Sequence, residues 1–272
     1  MSRHLKRVII LCVYALLFGG IGFGIRALNT ENPTCTDGIR NGAEDGLDCG
    51  VVCGKLCDPV IQPLTIAPAT LVAADGGYDV LASFENTNSI YGAERIEYVI
   101  VVTSADGTFS DTLSGVTYGL PQQTSFVAHH IDAASEALLT ATVTVREVTW
   151  RKVRAQEVGI DLQVRDESLV ATPGPGVAVE ARGVVRNASP YQLDRVDVVV
   201  LLYDVNETLV GAGSTNVRTL SSGSERLFTV SWRGPLIKTP VRSRVLLSTN
   251  ALANDAFLET YDTSPERFQI PY

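Results

Sequence analysis

The sequence predicts an all-β protein: two tandem antiparallel β-sandwiches behind an N-terminal transmembrane helix and a small disulfide-rich neck. Three observations predict it. Residues 8–25 form an uncharged apolar run. Four cysteines crowd into residues 35–57. Beyond residue 58, short runs rich in Val, Ile, Thr and Tyr alternate with Gly, Asn, Asp and Pro turns, and no long helical periodicity competes. The chain accordingly divides into a cytoplasmic stub (1–7), an anchor (8–28), a Cys-rich neck (29–60), a first sandwich (61–155), a second sandwich (156–254) and a C-terminal tail (255–272).

The anchor comes first. The run VIILCVYALLFGGIGFGI has 18 residues, the lower limit for a bilayer span. Arg3, Lys6 and Arg7 precede it and only Arg26 follows closely, so the positive-inside rule places the N-terminus in the cytoplasm and the body outside. A cleaved signal peptide, giving a secreted form, is the competing reading. Ile25-Arg26-Ala27 offers it a poor cleavage site, because the −3 residue is bulky. Cys12 follows Leu11 rather than a small residue, which argues against a lipoprotein signal and leaves it an apolar filler. The partner implied for residues 8–25 is the lipid bilayer.

Charge follows the same division. The chain has 22 basic and 30 acidic residues. Residues 1–30 hold four of the basic ones and no acid, leaving 18 against 30, a balance of −12, for the exported part. An acidic body of this kind repels phosphate and excludes nucleic acid as a partner. A hydrophobic content of 45% excludes disorder as the main state.

Cys35, Cys49, Cys53 and Cys57 are the exported cysteines, and four outside the cytoplasm imply two disulfides with three connectivities open. A segment this short cannot bury a useful core and needs covalent staples. Zinc is disfavoured by export and by the three-residue gaps. Oxygen donors are interleaved with glycines, and Asp37, Asn41, Glu44 and Asp48 are candidate calcium ligands, joined by Asp45 in the same loop. They do not follow the EF-hand spacing. The favoured reading is that they are turn formers in a loop-rich knot. The segment resembles a cysteine motif of exported bacterial surface proteins, C-x-D-G-x-x-N-x-x-E-x-x-x-D-C-G-x-x-C-x-x-C. Cys35, Asp37, Gly38, Asn41, Glu44, Asp48, Cys49, Gly50, Cys53 and Cys57 match in order, with the last gap one residue longer. In such proteins the motif stands between an anchor and extracellular modules.

The body supplies six candidate strands per half. They are residues 64–67, 78–85, 95–103, 108–113, 124–130 and 138–147, then 160–167, 176–186, 196–203, 209–217, 225–231 and 242–249. Six short strands in about 90–100 residues is a sandwich pattern. The halves align with each other. Phe84-Glu85-Asn86, Tyr91 and Glu94-Arg95-Ile96-Glu97 recur as Val185-Arg186-Asn187, Tyr191 and Asp194-Arg195-Val196-Asp197, the mark of a duplicated domain. Residues 196–232 of the second copy resemble the FxLYD-type immunoglobulin-like domain of bacterial surface proteins. Val200, Leu202, Tyr203 and Asp204 sit at the naming motif, with Val for its Phe, and the turn Ser221–Ser224 and Phe228 also fit. The first copy reads Val101-Val102-Thr103-Ser104 there and joins by repetition alone. The resemblance implies an immunoglobulin-like sandwich used for display, spacing or binding, without enzymatic activity.

Chemistry-bearing clusters are few. His129-His130 ends a strand, so the two rings diverge and are read as a solvated strand end. No G-x-S-x-G elbow occurs, and His4 lies in the cytoplasmic stub. Trp150 and Trp232 are expected in or beside the sandwich cores, with an exposed contact role as the lesser reading, 172–176 as a loop, and the basic cluster 150–154 as a solvated linker. Asn187 and Asn206 begin glycosylation sequons. The function expected is non-enzymatic: protein–protein contact or envelope architecture, with envelope or surface proteins as partners and self-association left open. The alternative is a carbohydrate- or ligand-binding module assisted by calcium.

Overall fold

A computed structural model describes residues 3–28, 35–74, 76–133, 139–153, 159–171, 177–233, 236–255 and 257. The predicted loop at 172–176, Arg154 and most of the tail lie outside the described residues. The chain falls into two compact units, 1–60 and 61–272.

The first unit contains one helix, α1 (Arg3–Leu28), followed by the neck. Within α1, residues His4–Ile25 are long and apolar enough to cross a membrane, a stretch that starts four residues before the run marked out by sequence. The neck is closed by Cys35–Cys53 and Cys49–Cys57, which resolves the three connectivities to one interleaved pair. Glycines let the staples approach. A Cβ on Gly46 would lie 2.7 Å from the Cys49 sulfur, and Gly50 holds φ at 118° against the Asp45 backbone.

The described strands of the second unit all pair antiparallel, and a short 3₁₀ turn, Ala251–Ala253, follows the last of them. The strands are β1 (Thr65–Ile66), β2 (Thr70–Ala74), β3 (Gly77–Asn86), β4 (Tyr91–Ser104), β5 (Ser110–Gly119), β6 (Gln123–Asp132), β7 (Leu139–Lys152), β8 (Leu162–Ala171), β9 (Val177–Asn187), β10 (Leu193–Tyr203), β11 (Leu209–Leu220), β12 (Glu225–Arg233) and β13 (Arg242–Ser248). In the first sandwich, β3 is flanked by β6 on one side and by β1 and β2 in turn on the other, and this sheet faces β5-β4-β7. In the second, β8-β9-β12 faces β11-β10-β13. Strand β2 is absent from the sequence reading, since Ala73 and Ala74 carry little β signal and Pro68 interrupts the run. The second copy bends at the same place without a proline: its register shifts between Arg165 and Ser168.

Alternation along each strand builds the two cores. Val80, Ala82 and Phe84 meet Ile96, Tyr98, Ile100 and Val102 in the first. Val185 and Phe228 meet Val196, Val198, Val200 and Leu202 in the second. The repeated asparagines show what the duplication preserves. Asn86 is fully buried, and its amide donates to the carbonyls of Tyr91 (2.8 Å) and Leu120 (3.1 Å) while its oxygen accepts from Asn88 N at 3.1 Å. Asn187 repeats the pattern on Tyr191 (2.7 Å), Leu220 (2.9 Å) and Ser189 N (3.0 Å). Each ties the end of one sheet to the opposite sheet and supplies partners to backbone that no ladder reaches.

One expectation is corrected, and the sequons are placed. The basic cluster is not a linker: Trp150, Arg151 and Lys152 complete β7, Arg151 binds Glu94 at 2.9 Å, and Val153 is buried. The sequon at Asn187 is a structural clamp with no exposed amide to modify, whereas Asn206 lies exposed in a turn.

Replacing Asn187 by Ala strands an N–H and two carbonyls, so N187A is expected to lose about 3 kcal/mol and several degrees in melting temperature. N206A should stay within about 0.5 kcal/mol of the parent in the same melts.

Candidate functional site

The two sandwiches share a seam, and its chemistry converges on Asp79. Strand alternation directs Val80 and Ala82 of β3 into the first core, so Asp79 and Leu81 point outward. That outward face is covered. Ala128 and Leu81 pack against Val199, Leu201 and Ala212 of the second sandwich, with Phe126 and Leu246 beside them. A second cluster seals the other end, where Leu120 and Val153 meet Ala251, Leu252 and Phe257. Leu252 sits so close over Gly92 that a Cβ there would lie 2.6 Å from its methyl carbon.

Asp79 is 2% exposed. Its Oδ2 accepts from the indole Nε1 of Trp232 at 3.0 Å and from the Ala212 backbone N–H at 3.0 Å. Its Oδ1 lies 2.8 Å from His130 Nδ1. Two of these partners belong to the second sandwich and one to the first, so a single carboxylate is shared across the seam. Trp232 fulfils the expectation that it packs in a core, and its N–H reaches past that core to Asp79. Trp150 packs half-buried against the first core. A second polar tie joins the sandwiches where the Tyr118 hydroxyl donates to Asp197 Oδ2 at 2.7 Å.

The histidines diverge, as neighbours on a strand must; His130 is exposed at the strand end as expected, and His129 is not. His129 turns toward the first core, with Nε2 2.7 Å from the Tyr98 hydroxyl. Burial holds its pKa below the usual 6.5. Burial first, and then the charge of Asp197, pushes the Tyr98 phenol up to about 12. The same two causes, in the same order, raise Tyr118. His130 lies on the opposite face, 47% exposed, with Nε2 3.6 Å from Asp132.

A cleft of about 510 Å³ opens beside this hub, walled by Asp79, His130 and Asp132 from one sandwich and by Ser214, Trp232 and Arg233 from the other. Its two serine hydroxyls are engaged elsewhere: Ser214 donates to the Ala128 carbonyl at 3.0 Å and Ser231 to Glu180 at 3.5 Å. The cleft places Nε2 of His130 3.6 Å from Asp132. It offers a polar, partly apolar recess suited to binding.

In the neck the calcium candidates act on their own loop. Asp37 accepts from Ile39 N at 2.9 Å and from the Asn41 amide at 2.9 Å. Glu44, buried, takes Asn41 N and Asp48 N, each at 3.3 Å. Asp48 Oδ2 takes Gly38 N at 2.9 Å, and Asp45 takes Val51 N at 3.3 Å. The other Asp48 oxygen is buried without a partner. The bonds that these acids make to backbone N–H groups are those of a braced loop. Cys35, Glu44 and Cys53 bring ligand atoms within 4.8 Å of one another, but the two sulfurs are bonded together and offer no thiolate.

Asp79 was invisible as a site because an acid on the outward face of a strand is ordinary. A signal did exist in β10, where Val196–Tyr203 is apolar at both parities, the pattern of a strand buried on two faces. The Gly211-Ala212-Gly213 run was another, since a Cβ on Gly213 would lie 2.6 Å from Val230.

No family model and no curated protein matches the chain. Among solved structures, red sea bream transglutaminase is similar at 11% identity and a TM-score of 0.23, over 72% of this chain. The chain spans 30% of that protein's length.

Asp79→Ala leaves the Trp232 and Ala212 N–H groups buried without an acceptor and should cost about 3 kcal/mol in urea unfolding. A pH dependence follows from His129. Its folded pKa is depressed, so it contributes stability above pH 6.5 that is lost as pH falls through the folded value. Unfolding free energy measured downward from pH 7 should decline, and His129→Gln should remove that part of the decline.

Proposed function

We propose that this chain is a membrane-anchored, extracytoplasmic contact module, non-enzymatic, whose two sandwiches act as one stiff arm rather than as beads on a string. The observation that supports it is the seam. Sandwiches joined only by a linker reorient freely, whereas two apolar clusters and a shared buried carboxylate favour a fixed relation. A fixed arm suits a protein that spaces or presents a surface to envelope or surface partners. The FxLYD-type resemblance at Leu202, Tyr203 and Asp204, and the bacterial envelope setting it implies, agree with this reading. The apolar helix supplies the tether.

Contact has a natural place on β12, which among the described strands pairs with β9 alone and carries Leu227 at 80% exposure. An exposed strand edge bearing a large apolar side chain is a ready site for another protein.

Two measurements on the producing cell test this. A C-terminal tag should be digested when intact cells or spheroplasts are treated with protease, and a protected tag would contradict the export. A photo-crosslinking amino acid at Leu227 should give a discrete higher-mass adduct. Recovery of the free chain alone would remove contact through this edge.

A further inference from the structure

We propose that the disulfide neck docks on the membrane surface, with Val51, Val52 and Leu56 dipping into the lipid beside the anchor. The inference rests on the anchor reading above and goes beyond it, because a tether alone leaves the neck free in water.

Exposure is the first observation. Val51 is 91% exposed, Leu56 92% and Val52 49%, with Ile39 at 61% and Leu47 at 59%. Among the described residues, the neck from 35 to 57 thus shows five large exposed apolar side chains. The body from 62 to 257 shows six: Val101, Val116, Val205, Leu227, Ile237 and Val241. A density so different marks a surface that meets something apolar.

The second observation is that this surface is held in shape. Gly50 and Lys55 bridge as a narrow hairpin, Gly54 turns in the left-handed region at φ 60°, and Val51–Cys53 forms a short 3₁₀ turn at the tip. Both disulfides hold this loop: Cys49–Cys57 joins its two arms, and Cys53 within the tip is tied to Cys35. The inside of the knot is taken by sulfur and by the Glu44 carboxylate with its N–H donors, so the valines have no interior to enter. Asp45 braces the base of the tip through Val51 N, and the acids otherwise face their own loop. The apolar tip therefore projects as a preformed feature.

Reach selects the occupant. Leu28 ends α1 and Cys35 begins the described neck, seven residues on. A chain spans at most about 3.5 Å per residue, so Cys35 stays within about 25 Å of the helix end. Side chains that enter an interface sink roughly 5–10 Å into the headgroup and acyl boundary, within that reach. Apolar area, not charge, drives the contact, because the neck is acidic and gains nothing from anionic lipid.

The test uses the full chain in phospholipid bilayers whose acyl chains carry bromine, which quenches nearby tryptophan. Trp150 and Trp232 set the background in the unsubstituted chain. Val51→Trp adds a reporter at the tip, and Tyr14→Trp adds one inside α1. The expected result is loss of most of the added emission for both variants in brominated bilayers, and none in plain ones. Quenching of Y14W with V51W unquenched would overturn the docking and leave the anchor standing. If V51W is unquenched but shifts to the blue as protein per lipid rises, a second copy covers the tip and the proposal also falls. An unquenched Y14W would show that α1 does not insert, removing both. Val51 is too exposed for its replacement to disturb folding.

Discussion

A carboxylate buried between two sandwiches must find donors or be expelled, and Asp79 finds them on both sides. That requirement constrains much around it. Trp232 has to turn its indole N–H out of its own core, Gly211 and Gly213 have to lack side chains so that the ring fits, and β11 has to present the Ala212 N–H to a neighbour that is not a strand. Each condition falls on a different element, and all are met only when the sandwiches sit in one relation. Apolar packing at Val199, Leu201 and Leu252 supplies area, and Asp79 supplies direction.

The two halves resemble each other in their clamps and differ in the faces they turn to the seam. What both copies keep is the Asn86/Asn187 clamp and the tie back to the preceding segment. In one copy Gln62 and Asn88 exchange bonds of 2.7 and 2.8 Å. In the other Asp161 N reaches Ser189 at 2.8 Å. These hold one sandwich together and were preserved by the needs of backbone polar groups. What the copies do not share is the seam. The first offers an acid and a histidine outward, and the second offers a tryptophan and a small-residue strand. A duplicated fold has become a pair with unlike faces.

Local features were legible in the sequence, and long-range ones were not. The strands follow from alternation, the asparagine turns from the repeat, and the need for two disulfides from four clustered cysteines. The pairing of those cysteines depends on the path of a loop built on Gly46 and Gly50, which composition does not encode. Trp232 and Asp79 lie 153 residues apart, so no window contains both. The histidine pair is read correctly as divergent, and His130 as exposed; His129 is not, because its partner Tyr98 comes from another strand. The basic residues at the end of β7 looked like a linker because their partner, Glu94, stands 57 positions earlier.

The neck and the body solve the problem of holding shape differently. The neck is too small for a core and relies on two disulfides and braced carboxylates, while the body relies on area and a shared polar hub. The central claim is that the two sandwiches behave as one body, and calorimetric unfolding of the chain addresses it most directly. Fusion predicts one transition, with calorimetric and van't Hoff enthalpies equal across residues 61–272. Two resolved transitions, each with about half the enthalpy, would show independent sandwiches and contradict the account.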